Sequence, residues 1–325
     1  MQKIVWLTIT SILVFQMHAF AQSTNPLNVV LVQNPYTGDR ASPEKSGGPA
    51  ALATGGIEKM LNEMGVTVQI RSEVKLTAEE EKTYGKWSKF GMSNGHLGKM
   101  VAEELRKDSF VVGLLGNCSS LSGMLAGLQH SGPTRRPLRV GLVFIDAHGD
   151  FNTPETTLSG MLGGMPVAVA AGHCLTRMRL QSGLDPALPE KYIVLAGVRD
   201  TDPLEQERID NSLIEMVSVD DIRNLSDNLH RQMQRLSKLT DLIYIHIDMD
   251  VLDPQEVRGH PLTVPDGPTS KELGAALELM FKYEKSAALG IASYPYSADP
   301  ELISLHATYN LVEGAVQGLL SRSTK

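Results

Sequence analysis

VFIDAHGDFNTPETTLSG, residues 143–160, runs from an uninterrupted apolar segment directly into two aspartates and a histidine at alternate positions, Asp146, His148 and Asp150. The apolar part belongs to the run VGLVFI at 140–145. It is too short for a helix and apolar at successive positions, so it reads as a strand covered on both faces. Side chains alternate across a strand, so the three polar residues project to one side if the backbone stays extended past Ile145. Buried carboxylates without partners are strongly unfavourable. The triplet therefore needs a basic side chain, a turn of backbone N–H groups, or a metal ion.

Similar short runs rich in β-branched residues occur at 28–32 (NVVLV), 109–115 (SFVVGLL), 192–198 (YIVLAGV) and 242–247 (LIYIHI). Helix-like segments lie between or after them at 57–64, 94–107, 165–171, 220–239 and 270–283. This alternation predicts an α/β fold in three α/β/α layers, with helices on both faces of a central, mostly parallel sheet. No internal repeat, low-complexity tract or Pro/Gly/Ser-rich linker divides the chain, so residues 22–325 are expected to form a single domain. In open parallel sheets, ligands bind beyond the carboxyl ends of the strands. The residues that follow the apolar runs are Gly116-Asn117-Cys118-Ser119, the 146–150 triplet, Arg199-Asp200-Thr201-Asp202 and Asp248-Met249-Asp250. Most are metal-ligand types.

The carboxylates Asp146, Asp150, Asp248 and Asp250 together with His148 would repel one another unless they shared cations. A mixed O/N donor set suits Mn2+ or Zn2+, and two ions suit so many carboxylates better than one. His130, His173 and His246 read singly as ordinary polar residues; His246 is the one expected near the ions, because it shares a strand face with Asp248.

The 325 residues carry a formal net charge of −7 and no long basic run. That argues against nucleic acid as the main partner and in favour of small polar or cationic ligands. The N-terminus is different in character. Met1-Gln2-Lys3 precedes an apolar stretch at 4–15, and Ala19-Phe20-Ala21 has the small-residue spacing of a cleavage site. Residues 1–21 are expected to be a cleaved secretory signal, which places the mature chain in a periplasm or outside the cell. The apolar stretch is shorter than the ~20 residues a span needs, so no membrane association is expected after cleavage. Cys118 and Cys174 are the only cysteines, too few for a disulfide-built scaffold, although two thiols in an oxidising compartment can pair.

The stretches DAHGDFNTP (146–154), GVRDTDP (197–203) and IHIDMDVLDP (245–254), in this order and spacing, resemble the ureohydrolase family of arginases and agmatinases. The resemblance runs from about residue 28 to the C-terminus. It implies a single α/β domain assembled as a homo-oligomer, a trimer or hexamer. It also implies two Mn2+ ions and hydrolysis of a guanidino group with release of urea. Asp146, His148, Asp150, Asp248 and Asp250 would be the metal ligands. Asp150 would also orient the attacking water and relay a proton to the leaving nitrogen. A guanidinium carbon is a poor electrophile, and two ions about 3.5–4 Å apart can activate and aim water at it. In the arginases of this family, residues matching Asn152 and Ser159 contact an α-carboxylate, and one matching Asp202 lies near an α-amino group. The resemblance therefore implies an amino-acid-like substrate, whereas the residues alone also allow Asn152 simply to shape a turn.

Three positions depart from the family pattern. Cys118 stands where a metal-binding His is expected; a thiolate ligand would favour Zn2+ more than imidazole would, while a plain buried thiol and a disulfide with Cys174 remain open. Gly163 stands where a proton-shuttling His is expected, and His260 is a candidate replacement. Ser293 stands in place of the Glu that pairs with the substrate guanidinium, a charge-assisted contact worth several kcal/mol. The expectation is a dinuclear metal-dependent hydrolase cleaving a C–N bond in a linear amidine, arginine-like or N-hydroxyguanidino. A metal-binding but catalytically degenerate protein and a hydrolase of an acylated amine are the alternatives.

Overall fold

Eight strands hydrogen-bond into one sheet: β1 (Asn28–Asn34), β2 (Thr67–Ile70), β3 (Phe110–Leu115), β4 (Val140–Ile145), β5 (Ile193–Ala196), β6 (Glu215–Val217), β7 (Leu242–Asp248) and β8 (Ser286–Ala292). The computed structural model describes residues 27–37 and 47–322, so the predicted signal segment lies outside the described residues. The strand order is β2-β1-β3-β8-β7-β4-β5-β6, and every pairing is parallel. The predicted three-layer α/β/α architecture is therefore what the chain adopts, with a sheet that is parallel throughout.

Period-two alternation sorts the apolar side chains into two cores. Val143 and Ile145 of β4, with Ile245 and Ile247 of β7, pack on the face covered by helices Ser270–Phe281 and Ile303–Leu320. Leu142, Phe144 and Tyr244 face the other side, under Leu121–Gln129 and Lys86–Leu105. Strands buried on both faces need apolar residues at every position, which explains why β3 and β4 are fully buried along their length.

Several elements differ from their sequence reading. The segment 220–239 is two helices, Val219–Arg223 and Asp227–Leu239, because Leu225 takes a left-handed φ of 47° and Ser226 caps the second helix by accepting from the Leu229 N–H. The helix expected at 94–107 begins at Lys86; its glycines mask a close crossing, since a Cβ on Gly98 would stand 3.1 Å from the Gly123 carbonyl oxygen. The strands β2, β6 and β8 and the helix Ile303–Leu320 were not expected. β8 reads SAALGIA, poor in the β-branched residues that mark strands. Its centre has to be small, because a Cβ on Gly290 would lie 1.9 Å from Tyr244 Oη of the neighbouring strand.

This topology gathers the candidate residues. β3, β8, β7 and β4 are consecutive in the sheet, and Cys118, Ser293, Asp248 and Asp146 come at or just beyond their carboxyl ends. The backbone does not stay extended to Asp150, however. β4 ends at Ile145, His148 makes an isolated parallel bridge with Asp200, and Asp150 takes a left-handed φ of 47°. A buried carboxylate holds this turn. Glu205 accepts from the Phe151 N–H at 2.7 Å with Oε1 and from the Asp202 N–H at 3.2 Å with Oε2, tying the loop after β4 to the start of helix Pro203–Asp210. Burial raises the Glu205 pKa, and the two backbone donors work against that rise.

Replacing Glu205 with Ala leaves both amides without their acceptor at a buried site, an expected loss of about 2–4 kcal/mol. Urea unfolding should show a lower midpoint at unchanged slope. A loss below about 0.5 kcal/mol, the usual range for surface changes, would mean that other acceptors take over.

Candidate metal centre

Short caps at the strand ends aim the polar side chains inward. After β3 the Asn117 side chain accepts from the Ser119 N–H at 3.1 Å, opening a single 3-10 turn, Cys118–Ser120, that leads into helix Leu121–Gln129. Asp146 Oδ1 accepts the His148 N–H at 2.7 Å. Asp248, the last residue of β7, accepts from the Asp250 N–H at 3.2 Å and so starts the turn that brings Asp250 back beside it. Ser293 follows β8 with a left-handed φ of 63° and donates its hydroxyl to Asp248 Oδ2 at 2.7 Å.

Among the described residues three overlapping groups result, each with one potential ligand atom per residue and all such atoms within 4.8 Å of one another: Cys118, Asp146 and Asp248; Asp146, His148 and Asp250; Asp248, Asp250 and His260. His148 Nδ1 lies 3.3 Å from Asp146 Oδ1 and 3.4 Å from Asp250 Oδ2. His260 approaches Asp248 Oδ1 with Nε2 and Asp250 Oδ2 with Nδ1, each at 3.9 Å. The Cys118 thiol donates to Asp248 Oδ2 at 2.8 Å.

The electrostatics are those of a crowd of acids removed from water. Burial and then the neighbouring charges of Asp250, Asp150 and Asp248 push the Asp146 carboxyl well up. Burial, then Asp248, does the same to Asp150, and burial, then Asp250, to Asp248. Burial raises the Cys118 thiol, and Asp248, Asp146 and Asp150 raise it further. Burial alone would lower His148, but its hydrogen bonds to Asp146 and Asp250 outweigh that and hold it at about 11. Asp250 is the exception: burial would raise it, yet the hydrogen bond and charge of His148 keep it below the ordinary carboxylate value. The cluster thus recruits positive charge from protons. A divalent cation supplies the same charge at shared ligands. The donor set fits such an ion, combining carboxylate oxygens, imidazole and thiol. Asp250 Oδ1, buried without a hydrogen-bond partner, is a ligand atom left free for one.

The other sequence-predicted residues divide into those at the cluster and those beside it. Asp150 is buried and lies outside the three groups, although it is electrostatically linked to Asp248 and Asp146. Asn152 donates to Asp202 Oδ2 at 3.1 Å, and the Leu158 N–H donates to the same oxygen at 3.1 Å, so Asp202 gathers the loop that both residues edge. Ser159 is exposed and spends its hydroxyl locally, accepting from the Met161 N–H at 3.2 Å and sharing a hydrogen bond with Thr157. A Cβ on Gly163 would meet nothing within 4 Å, so the position is open space. His260, expected as a shuttle, stands among the acids as a candidate ligand. The disulfide alternative is corrected: both cysteines are free, Cys118 being buried against Asp248 and Cys174 only partly buried. His246, expected near the candidate ions, does lie at the edge of the cluster, against Cys118, its Nε2 3.3 Å from Sγ.

Sequence reasoning missed two residues that hold the site. Glu205 was legible as the fourth position of Asp202-Pro203-Leu204-Glu205, a capping-box spacing. Arg199 was grouped with the metal-ligand types, yet it works as a tie. Its guanidinium donates to the carbonyls of Val251, Val264 and Pro265 at 3.2, 2.8 and 2.8 Å, pinning both ends of the loop that carries His260.

Known proteins share both pattern and fold. A family model described as the arginase family matches residues 28–313. The arginase of Brevibacillus brevis is 28% identical over 240 residues, 72% of this chain and 78% of that protein. The arginase of Bacillus caldovelox is 26% identical over 241 residues, 72% and 79% of the two chains. The crystal structure of arginase from Bacillus subtilis superposes with a TM-score of 0.77 at 23% identity, covering 89% of this chain and 98% of the other. With the family model spanning most of its length and the same fold around a buried acid cluster, the chain belongs to the arginase family.

Proposed function

We propose that this arginase-family chain is a dinuclear metal-dependent hydrolase that cleaves a C–N bond of a guanidino or other linear amidine substrate. The observation that carries the reading is the set of three overlapping donor groups at the carboxyl ends of the central strands, where parallel sheets bind their ligands. Asp146, His148, Asp150, Asp248, Asp250 and Cys118 would hold two divalent ions, Mn2+ or, given the sulfur, Zn2+. When bound, such ions supply Lewis acidity that lowers the pKa of water and polarises the substrate.

The chain's own residues supply the rest. Asp150 sits on a turn fixed by Glu205 and is buried among the acids of the cluster, a place from which a carboxylate can accept a proton and return it to a leaving nitrogen. His260, on the loop tied by Arg199 and outside the six proposed ligands, is the imidazole available for proton transfer. Asn152, Ser159 and Asp202, gathered at the loop after β4 by the Asn152–Asp202 and Leu158–Asp202 hydrogen bonds, are the candidates for contacting an α-carboxylate and α-amino group. Ser293 presents a neutral hydroxyl, already donated to Asp248, where the family pattern has a Glu for a cationic guanidinium. A neutral contact favours a guanidino group of lower pKa, such as an N-hydroxyguanidine. The N-terminal signal, secretion or periplasmic location, and a trimeric or hexameric assembly complete the reading.

One observation favours the degenerate alternative: the open space at Gly163 together with Ser293 removes two functional groups of the family pattern. The first test is a panel of L-arginine, agmatine, guanidinobutyrate, guanidinopropionate and N-hydroxy-L-arginine, scored for urea or hydroxyurea with Mn2+ and with Zn2+. Turnover confined to or strongest with the N-hydroxy compound is expected. A chain that binds metal but leaves every member intact is the degenerate protein. Asp150→Asn keeps the shape and tolerates the left-handed backbone, and should lower kcat by roughly 10^2- to 10^4-fold, the range for losing a general acid–base, in protein shown by metal analysis to keep its ions.

Metal should also stabilise the fold. A free ion concentration about 100-fold above Kd raises unfolding free energy by about 2.7 kcal/mol, visible as a higher Tm that chelator reverses. Because burial and neighbouring carboxylates raise Asp146, Asp150 and Asp248 above their ordinary values, a cation that binds them competes with protons. Affinity should therefore weaken as pH falls, and calorimetry in buffers of different ionisation enthalpy should register proton release. A pH-independent affinity without proton release would place the ions elsewhere.

A further inference from the structure

A buried polar chain runs from the acid cluster into the sheet: Asp248 Oδ2, Cys118 Sγ, His246, Tyr244 Oη. The links measure 2.8, 3.3 and 2.8 Å, and Cys118, His246 and Tyr244 are at most 2% exposed. With the thiol donating to Asp248, proton counting gives the rest of the chain one direction. A thiol has one proton, and here it points at Asp248. The contact between His246 Nε2 and sulfur then requires Nε2 to be the donor. A neutral imidazole carries one N–H, so Nδ1 is bare and accepts the Tyr244 hydroxyl.

The surroundings are shaped around this chain. The His246 ring stacks on Phe144, centroids 5.1 Å apart and planes 6° from parallel. Gly290 leaves the space that Tyr244 Oη fills, since a Cβ there would come within 1.9 Å of it and within 3.2 Å of His246 Nδ1. A plain buried thiol needs none of this, because sulfur is a weak hydrogen-bonding group that packs as a small hydrophobe. A sulfur aimed at a carboxylate cluster with an N–H fixed behind it is arranged as a metal ligand is, with its orientation set by a hydrogen-bonding partner.

We infer that His246, oriented by Tyr244, is a positioning residue that fixes the Cys118 sulfur as a metal ligand and makes that side of the centre selective for thiophilic divalent ions, Zn2+ and Co2+, over Mn2+. The inference rests on the proposed metal centre and goes beyond it. On ligation the thiol proton leaves to solvent, and the sulfur keeps the His246 N–H as its donor.

The test is titration of the full chain with Co2+ alone, read by absorption. Visible d–d bands report cobalt bound by any donor set, and a near-ultraviolet sulfur-to-cobalt charge-transfer band reports ligation by Cys118. Wild type should show both, and Cys118→Ser only the d–d bands. His246→Phe preserves the stacking on Phe144 without the N–H; it should weaken and shift the charge-transfer band and lower cobalt affinity by about 10- to 100-fold. His246→Gln restores a donor and should restore the band, which a purely packing role would not require. Tyr244→Phe should shift the band in the same sense by less. In competition, wild type should prefer Zn2+ to Mn2+ by a wider margin than Cys118→His. Bands of the d–d type without charge transfer in wild type would overturn the sulfur ligand and leave the metal centre standing. Failure to bind cobalt at all would overturn the centre itself, and an unchanged band in His246→Phe would remove His246 from its role. Were His246→Phe not to fold, the Gln and Tyr244→Phe arms would still decide.

Discussion

Four aspartates and a thiol packed out of water at the middle of a parallel sheet set the terms for everything around them. None of Asp146, Asp150, Asp248 or Asp250 is more than 7% exposed, and like charges this close raise one another's pKa values. Such a cluster persists only if positive charge is brought to it and if the backbone that presents it cannot relax away. The first requirement is met by His148, held charged between Asp146 and Asp250, and divalent ions shared as proposed would meet it further. The second explains features that otherwise look unrelated: Glu205 locking the loop after β4, Arg199 pinning the loop after β7, and left-handed turns at Asp150 and Ser293. Non-glycine residues at positive φ are sparsely populated and persist where the surroundings over-determine them. Here both stand at the rim of the acid cluster.

The sheet order makes this convergence inevitable once the strands form. β3 and β4 are separated in the sheet by β8 and β7, which come much later in the chain. Cys118 and Asp248 are 130 residues apart in sequence yet in hydrogen-bonding contact. A parallel sheet puts all strand exits at one edge, so residues that follow separate apolar runs must meet there. Each contributing strand is flanked by neighbours on both sides, which keeps water from the sheet beneath the cluster and heightens every charge interaction within it.

That logic also marks how far the sequence alone could be read. The continuous β-branched runs of β1, β3, β4, β5 and β7 announce two-sided burial, and the Asp-x-His-x-Asp and Asp-x-Asp spacings after two of them announce the acid cluster. β8 stayed hidden because its neighbour Tyr244 demands a glycine, so the strand signal was surrendered to packing. β2 and β6 are short edge strands with exposed positions and too few residues to show a period. The break in the 220–239 helix depends on a single left-handed leucine followed by a capping serine, which periodicity overrides on paper. Within the site, Glu205 carried a legible capping signal that was not connected to the metal cluster. The partnership of His246 with Cys118 was invisible for a different reason: alternation along β7 aligns His246 with Asp248, but only the strand order places Cys118 between them.

The two departures from the family pattern at the centre change charge in opposite directions. With Cys118 standing for a His and Ser293 for a Glu, as the resemblance implies, the first would add one negative charge on ligating an ion and the second would remove one. In the proposed centre, the total balance against two divalent ions is therefore the same as in the family pattern, while the negative charge has moved from the wall that would face a guanidinium to the ligand shell itself. Ser293 and Cys118 both act on one oxygen, Asp248 Oδ2, so the exchange is local and coupled. Its chemical sense is specific. A richer ligand shell makes the ions weaker Lewis acids, and a neutral wall holds a cationic substrate less well. In the proposed reaction both shifts would disfavour a strongly basic guanidinium and favour a substrate that is neutral, or easily made so, at the pH where it reacts. The same coupling predicts that the two departures are poorly tolerated one at a time: restoring a Glu at 293 beside a retained thiolate would bury an additional charge against Asp248, whereas restoring both family residues together would return the site to balance.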